Sequence, residues 1–149
     1  METSYVMVKP EFANYESVIN EVKKRLQKAG LKILEERYIK YDEASANKHY
    51  AEHVGKDFYP KLLAYITGDK AYGMVVAGDN AIAKIRAIAG STKNPAEGTI
   101  RHDIPLVLGL EIRVTENVVH SSDSEESAKR EIAIFDSLPE FTEEKERNV

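Results

Sequence analysis

His120 is the residue whose setting best suits chemistry. It follows the short apolar run Asn117–Val119 and precedes "SSDSEES", where Ser122, Asp123 or Ser124 could cap a helix. Free N–H groups at a helix start suit an anion such as a phosphoryl group. An imidazole becomes a nucleophile when one ring nitrogen is held as N–H and the other keeps its lone pair. The pattern indicates a phosphoryl acceptor, although a histidine after a strand is more often structural.

Glu131 is the candidate partner that would hold the ring of His120. It lies eleven residues further along the chain, too far for one straight helix, but within reach if the helix folds back beside the strand. The alternative is an ordinary solvated helix carboxylate. His49 and His53 have the i, i+4 spacing of a metal pair, but "HYAEH" is not H-E-x-x-H and a structural role is favoured. His102 has no assignable role.

Three cations are candidates for binding phosphate oxygens. The chain has no G-x-x-x-x-G-K-[ST] loop, so a phosphate would have to be held by side chains. Lys9 ends a predicted strand, Arg86 lies on a predicted helix, and Arg101 lies in a long segment without periodicity. Each alone is more often a surface cation, and spacing alone does not establish that they converge.

Composition limits the classes of protein that need considering. The 149 residues are 42% hydrophobic and 31% charged, which is typical of a single globular domain spanning 1–149. A net charge of -4 argues against a nucleic-acid surface. Apolar runs are too short for a membrane span, and the absence of cysteine favours an intracellular, cytoplasmic location. We therefore expect neither nucleic acid nor membrane as a partner.

The elements that must position these residues follow the order β α β α α β α β α. Apolar periodicity and Gly or Pro boundaries predict strands at 4–9, 31–41, 71–78 and 117–120. The same signals predict helices at 15–28, 42–55, 59–67, 79–90 and 124–135. Residues 91–116 lack a period, and 136–149 should be loosely held. We expect an α/β (α+β) sandwich of the ferredoxin-like type: a four-stranded antiparallel sheet with helices packed on one face and an extra helix pair between strands 2 and 3.

Several segments together resemble one family, the nucleoside diphosphate kinases. "NVVHSSDSEESAKREIAIF" resembles that family's active-site signature, and "YVMVKP" its first strand with a lysine. "HYAEHVGKDFYPKLLAYITG" resembles its nucleotide-clamping helix pair, while "VVAGDNAIAKIRAIAGST" and "NPAEGTIR" resemble its phosphate-holding helix and loop. The resemblance runs in the same order from about Tyr5 to Phe135.

The resemblance implies a ping-pong phosphotransferase in which His120 takes the γ-phosphate of a nucleoside triphosphate and passes it to a nucleoside diphosphate. Ser122 and Glu131 would orient His120, and Tyr50 would lie beside the γ-phosphate. Mg²⁺ would arrive on the nucleotide phosphates, with no metal ligands from the protein. The other implied contacts are Lys9 and Asn117 to the ribose hydroxyls, Lys9 to the transferring phosphate, Phe58 to the base, and Arg86, Thr92 and Arg101 to phosphate oxygens.

Three features depart from the family pattern. "KPEFANYESV" lacks the usual glycine after lysine-proline, and Ser121 replaces the usual glycine after the histidine. The stretch from Arg101 to Asn117 is about half a dozen residues longer than usual, which makes Arg101 the least secure phosphate contact. Aliphatic residues in "PLVLGLEIRVTE" indicate that this insertion packs on something.

Two other functions remain in view: a weakly catalytic homologue that regulates by binding nucleotides, and a protein phosphocarrier. The phosphocarrier would need His120 but not Phe58, Arg86 or Thr92. The resemblance also implies a homo-oligomer built from a shared dimer, for which we expect a hexamer rather than a tetramer.

Overall fold

The computed structural model describes residues 1–114 and 117–142. Its strands are β1 (Glu2–Val8), β2 (Lys32–Ile39), β3 (Ala71–Gly78) and β4 (Val119–Ser121). Its helices are α1 (Glu16–Lys28), α2 (Glu43–His49), α3 (Tyr59–Thr67), α4 (Ala81–Ala89), α5 (Ile100–Val107) and α6 (Glu125–Ser137). Short 3-10 helices cover Phe12–Asn14 and Ala51–His53.

The four strands form one antiparallel sheet in the order β2-β3-β1-β4. The ferredoxin-like fold and the helix pair α2–α3 between the second and third strands are confirmed. β1 lies in the interior of the sheet, and Met7 on β1 pairs with His120 on β4. This register fixes the height of His120 against the most buried strand.

Helices cover both faces of the sheet, so the expectation that they lie on one face is wrong. β1 is apolar on both sides, because its side chains alternate between the faces. Val6 and Val8 join the core under α1, α4 and α5, whereas Tyr5 and Met7 join the core under α2, α3 and α6. The unbroken apolar run of β1 is the signal for a strand buried on both faces.

Side-chain caps define the starts of two helices that flank the site. Asp42 accepts a hydrogen bond from the N–H of Ser45 at 2.7 Å and forms a capping box before α2. Ser124 accepts from the N–H of Ser127 at 3.1 Å and is the cap of α6. The helix expected over 42–55 instead ends at His49, since Tyr50 leaves the helical conformation at φ -106° and ψ 35°.

α5 is an element that the sequence analysis missed. Residues 91–116 were expected to lack regular structure, yet Ile100–Val107 is helical despite Pro105. Ile100 and Ile104 bury one face in the core, and the Asp103 carboxylate accepts from the N–H of Gly98 at 3.0 Å. The i, i+4 isoleucines were the available signal, but the helix is too short for a clear period. Arg101 therefore lies in a helical first turn and not in a loop.

The described part of the stretch after α6 contacts the rest of the chain. Leu138 is buried, and the N–H of Phe141 donates to the carbonyl of Tyr38 at 2.8 Å. Residues 143–149 of the predicted tail, and Thr115 and Glu116 of the insertion, lie outside the described residues. Within 1–114 and 117–142, no helix has the length and apolar character needed to cross a membrane.

Candidate active site

A strained backbone delivers His120 to the site. Val118 has φ +83°, a conformation that β-branched residues rarely adopt and that costs about 1–3 kcal/mol. Its side chain is fully buried, and its carbonyl accepts from the N–H of Lys9 at 2.8 Å. Core packing and this hydrogen bond hold the strained turn, and β4 then begins at Val119 with His120 as its second residue.

Glu131 does fold back beside β4 and contacts His120. His120 Nε2 lies 2.8 Å from Glu131 Oε1, and the hydroxyl of Ser122 donates to the same oxygen at 2.7 Å. Ser122 is itself held by β1, since its Oγ accepts from the N–H of Tyr5 at 3.0 Å. A buried carboxylate accepts hydrogen bonds, so Nε2 carries the proton and donates. Nδ1 is therefore the ring nitrogen with a free lone pair.

The imidazole of His120 is neutral. Burial, followed by the positive charges of Lys9, Arg101 and Arg130, lowers its pKa to about 3 against the opposing charge of Asp123. Burial also raises the pKa of Glu131 above its usual value. The contact between the two side chains is thus a hydrogen bond from a neutral ring to a carboxylate and not an ion pair. Neutral His120 is the form that can attack phosphorus.

Lys9 and Asn117 form a buried polar pair beside the strained turn. Lys9 Nζ donates to Asn117 Oδ1 at 2.8 Å, and Asn117 Nδ2 donates to the carbonyl of Val114 at 2.7 Å. Both side chains are buried. The two residues predicted to contact ribose are therefore brought together, and the inserted segment holds one of them.

Arg86, Thr92 and Arg101 line one cavity of about 630 Å³ between α4 and α5. The guanidinium of Arg101 donates to the carbonyls of Gly90 at 2.7 Å and Val119 at 2.8 Å. Its buried Nε has no hydrogen-bond partner. Burial lowers the pKa of Arg101 to about 10, so it stays protonated at neutral pH. The three residues predicted to hold phosphate oxygens thus share a positively charged cavity.

Gly90 supplies the tight turn that this cavity needs. It has φ +92°, and a Cβ built there would lie 2.5 Å from Thr99 Oγ1. A larger residue would push α5 and Arg101 away from α4.

Tyr50 and Phe58 both lie in the region of α2 and α3, but Tyr50 is buried and Phe58 is exposed. The ring of Tyr50 lies 6.1 Å from that of His120, and its buried hydroxyl has no hydrogen-bond partner. Phe58 is 49% exposed, with the ring of His53 at 5.4 Å and Lys56 Nζ 6.0 Å from its own ring. A buried hydroxyl is thus available near His120, and an open aromatic face lies further out.

His49 is a residue of the site that the sequence analysis did not place there. Its ring lies 4.4 Å from that of His120, it is 3% exposed, and neither of its ring nitrogens has a hydrogen-bond partner. Burial lowers its pKa well below the usual value. The sequence could have indicated this position for His49, because the next residue, Tyr50, was already expected beside the γ-phosphate. His49 ends α2, whereas His53 lies in the following 3-10 helix, so the two do not share one continuous helix. His102 Nδ1 instead contacts Asp103 Oδ1 at 2.8 Å.

Comparisons with known proteins agree on one family. The family model described as nucleoside diphosphate kinase matches residues 2–141. A nucleoside diphosphate kinase of Methanosarcina acetivorans is 48% identical over 90% of this chain and 87% of its own length. One from Listeria monocytogenes is 46% identical over 91% and 88%. The solved structure of a halophilic nucleoside diphosphate kinase from Halobacterium salinarum in complex with CDP has a TM-score of 0.81 at 34% identity, covering 95% of this chain and 93% of that one.

Proposed function

This chain belongs to the nucleoside diphosphate kinase family of phosphotransferases, and we propose that His120 carries its transfer reaction. The observation that supports this role is the hydrogen bond from His120 Nε2 to Glu131, which leaves the Nδ1 lone pair free. Nδ1 attacks the γ-phosphorus of a nucleoside triphosphate, and the bond to the bridging oxygen breaks to release a diphosphate. A second nucleoside diphosphate then attacks the phosphohistidine, and the P–N bond breaks.

The site residues fit the two ends of such a substrate. Phe58 stacks on the base, which suits a kinase indifferent to base identity because every base offers a π-face. Lys9 and Asn117 bind the ribose hydroxyls, and Lys9 also meets the transferring phosphate. The relative from Halobacterium salinarum was solved with CDP, a ligand of this class.

The phosphates occupy the cavity between α4 and α5. Arg86, Thr92 and Arg101 hold the phosphate oxygens, and the unpartnered Nε of Arg101 gains a hydrogen bond there. The buried hydroxyl of Tyr50 donates to the γ-phosphate as it moves to His120. Cations and donors fixed before the reaction stabilise the charge that develops as the phosphoryl group moves.

Members of this family use a divalent cation, and we propose Mg²⁺. Mg²⁺ prefers six oxygen ligands and commonly keeps several waters while it bridges nucleotide phosphates. Among the described residues, the group of three metal-ligating side chains that lies close together is His49, His120 and Glu131, which offers two nitrogens. That set does not suit Mg²⁺, so the phosphates carry it.

Assembly, location and domain extent complete the proposal. We propose a homo-oligomer, most simply a hexamer, acting in the cytoplasm where its nucleotides are. We also propose one catalytic domain spanning 1–149.

The experiment that tests the function follows the phosphoryl group. The protein is incubated with γ-labelled ATP and Mg²⁺, and unlabelled GDP is then added; His120→Ala and the matched control His102→Ala are run in parallel. We expect an acid-labile label that moves to GTP with the native chain and the control, and neither step with His120→Ala. Uptake without transfer would indicate a phosphocarrier. Nucleotide binding without uptake would indicate a regulator.

A further inference from the structure

A second, smaller cavity lies on the Glu131 side of His120. It encloses about 100 Å³ and is lined by the carboxyl-bearing residues Glu52, Asp123 and Glu131 and by one guanidinium, that of Arg130. The lining of this cavity carries three carboxylates and one guanidinium, in contrast to the arginine-lined cavity between α4 and α5, and the positive charges of Lys9 and Arg101 act on His120 from outside the lining. Its volume exceeds that of one ion, since a water occupies about 30 Å³.

Three side chains at this cavity form a ligand set. His49, His120 and Glu131 each offer one ligand atom, and the three atoms lie within 4.8 Å of one another. Nε2 of His120 already faces Glu131 at 2.8 Å. His49 has no hydrogen-bond partner for either ring nitrogen, although such burial of a polar group ordinarily demands one. A bound ion would supply the missing partner.

We propose that His49, His120 and Glu131 bind one Zn²⁺ ion, or a similar transition-metal dication, when the nucleotide is absent. Two imidazoles and a carboxylate are a ligand set that Zn²⁺ accepts with water in the fourth position. Tetrahedral ligands at about 2.1 Å from zinc lie roughly 3.4 Å apart, so the three ligand atoms, which lie within 4.8 Å of one another, would have to approach by about 1.4 Å at most.

Metal binding at this place would silence the nucleophile, a consequence that rests on the proposed function. The ion takes the lone pair of His120 Nε2, so the single ring proton must leave Nε2 and reside on Nδ1. Nδ1 then has no lone pair with which to attack phosphorus. The ion also occupies the Glu131 oxygen that had accepted from the ring. Zn²⁺ is thus an inhibitor that acts through the tautomer of His120 and not by displacing Mg²⁺ from ATP.

Metal binding is tested without nucleotide. Chelator-treated protein is titrated with Co²⁺, followed by visible absorption, and with Zn²⁺ against a chromophoric chelator. We expect one ion per chain, a tetrahedral Co²⁺ spectrum, and affinity lowered at least about tenfold by His49→Gln and by Glu131→Gln. The matched histidine control His102→Gln, at a residue that does not line this cavity, should bind as the native chain does. Equal binding by His49→Gln, or loss with His102→Gln, would overturn the proposal.

The inhibitory consequence is tested with labelled ATP and excess Mg²⁺. One equivalent of Zn²⁺ should abolish label uptake by the native chain, a chelator should restore it, and the residual uptake of His49→Gln should not respond to Zn²⁺. Native uptake that persists with the metal bound would refute the tautomer mechanism. If the native chain takes up no label without Zn²⁺, the proposed function fails, and the titration alone decides the metal site.

Discussion

The cations near His120 serve two purposes: they suit phosphate binding, and they keep the imidazole neutral. Lys9 and Arg101 provide positive charge for phosphates, and that charge also lowers the pKa of the His120 imidazole. A histidine that stays neutral well below pH 6.5 keeps a nucleophilic lone pair over the whole physiological range. Glu131 accepts a hydrogen bond from Nε2 and does not form an ion pair with the ring, because the ring is neutral.

Glu131→Gln tests whether the carboxylate fixes the tautomer of His120. A glutamine can present its N–H₂ to Nε2, which would favour the proton on Nδ1 and remove the nucleophilic lone pair. We expect the rate of phosphohistidine formation to fall on the order of a hundredfold or more, with nucleotide affinity little changed. Rapid quench of labelled uptake measures the rate. Glu126→Gln, an exposed change on the same helix, is the control, and equal rates in the two variants would contradict the role.

The pH dependence of stability follows from two neutral histidines, buried His49 and partly buried His120. Folding lowers the pKa of His49 and His120 below 6.5, so between that value and the folded pKa the unfolded chain binds protons that the folded chain does not. Stability is therefore complete above about pH 6.5 and is lost as the pH falls below it. Each histidine contributes a slope of up to about 1.4 kcal/mol per pH unit.

Urea unfolding at a series of pH values between 7.5 and 5 measures this slope. We expect the unfolding free energy of the native chain to decrease steadily below pH 6.5, and His49→Gln to flatten part of that decrease even if it lowers stability at pH 7.5. His102→Gln is the matched control, because His102 contacts Asp103 and does not line the cavity at His120. A His49→Gln slope equal to the native one would show that His49 is not held neutral.

At the scale of elements, two departures from the family pattern contact each other. Glu11 stands in the turn that lacks the usual glycine and has φ +68°. Its carboxylate accepts from Arg113 Nη2 of the insertion at 2.6 Å, and the Arg113 guanidinium lies 5.8 Å from the ring of Phe12. The next residue, Val114, supplies the carbonyl that holds Asn117. The insertion thus contacts the turn that follows Lys9, through Arg113, and Asn117, through Val114.

Arg113→Ala should therefore weaken nucleotide binding more than it slows chemistry. The ion pair with Glu11 is partly exposed and is worth up to about 1 kcal/mol, so we expect KM for the nucleotide to rise by no more than about fivefold, with a smaller change in kcat. Steady-state kinetics with ATP and GDP separates the two. Lys24→Ala, which removes an exposed cation from α1, is the control. A fall in kcat at unchanged KM would contradict this assignment.

The long elements could be predicted from the sequence because their signals are local. Apolar periodicity and the caps at Asp42 and Ser124 located the helices around them, and the strands followed from short apolar runs, some of them bounded by Gly or Pro. The sequence analysis did not predict α5, because a helix of about two turns that contains Pro105 is too short for a clear apolar period. Successive side chains of β1 enter two different cores, and for this reason helices cover both faces of the sheet. The apolar run is visible in the sequence, but only the packed structure shows that both of its sides are covered.

In the candidate site, too, contacts between residues close in the sequence could be predicted, whereas contacts between distant residues could not. His120, Ser122 and Glu131 lie within twelve residues, so their contact could be predicted from one strand and one helix. The convergence of Lys9, Arg86 and Arg101 required the resemblance to a family, since these residues lie on three separate elements. His49 was missed because its proximity to His120 joins residues seventy-one positions apart and shows no spacing in the sequence.

At the scale of the whole molecule, the exposed large apolar side chains of the described residues include two separate regions that are candidates for contacts between subunits. Leu34, on the edge strand β2, is half exposed. Leu106, Val107, Ile112 and Val114 form a second exposed group on α5 and the insertion, whereas Leu108 and Leu110 pack on the core of their own chain. Among the described residues of the insertion, Leu108 and Leu110 thus agree with the expectation that it packs on something, and they pack inside the chain. Two regions suit an oligomer built from dimers that associate further.

Val107→Glu tests the second of these regions as a contact between subunits. Val107 is 84% exposed, so a charge there leaves the fold of one chain intact but would be buried in an assembly that covers α5. Sedimentation equilibrium of the native chain should give six times the mass of one chain, and Val107→Glu should lower it toward that of a dimer without changing the circular dichroism spectrum. Ala44→Glu introduces the same charge at an exposed position of α2 and should leave the mass unchanged. A native monomer would overturn the proposed assembly, and a hexamer that persists in Val107→Glu would place the contact elsewhere.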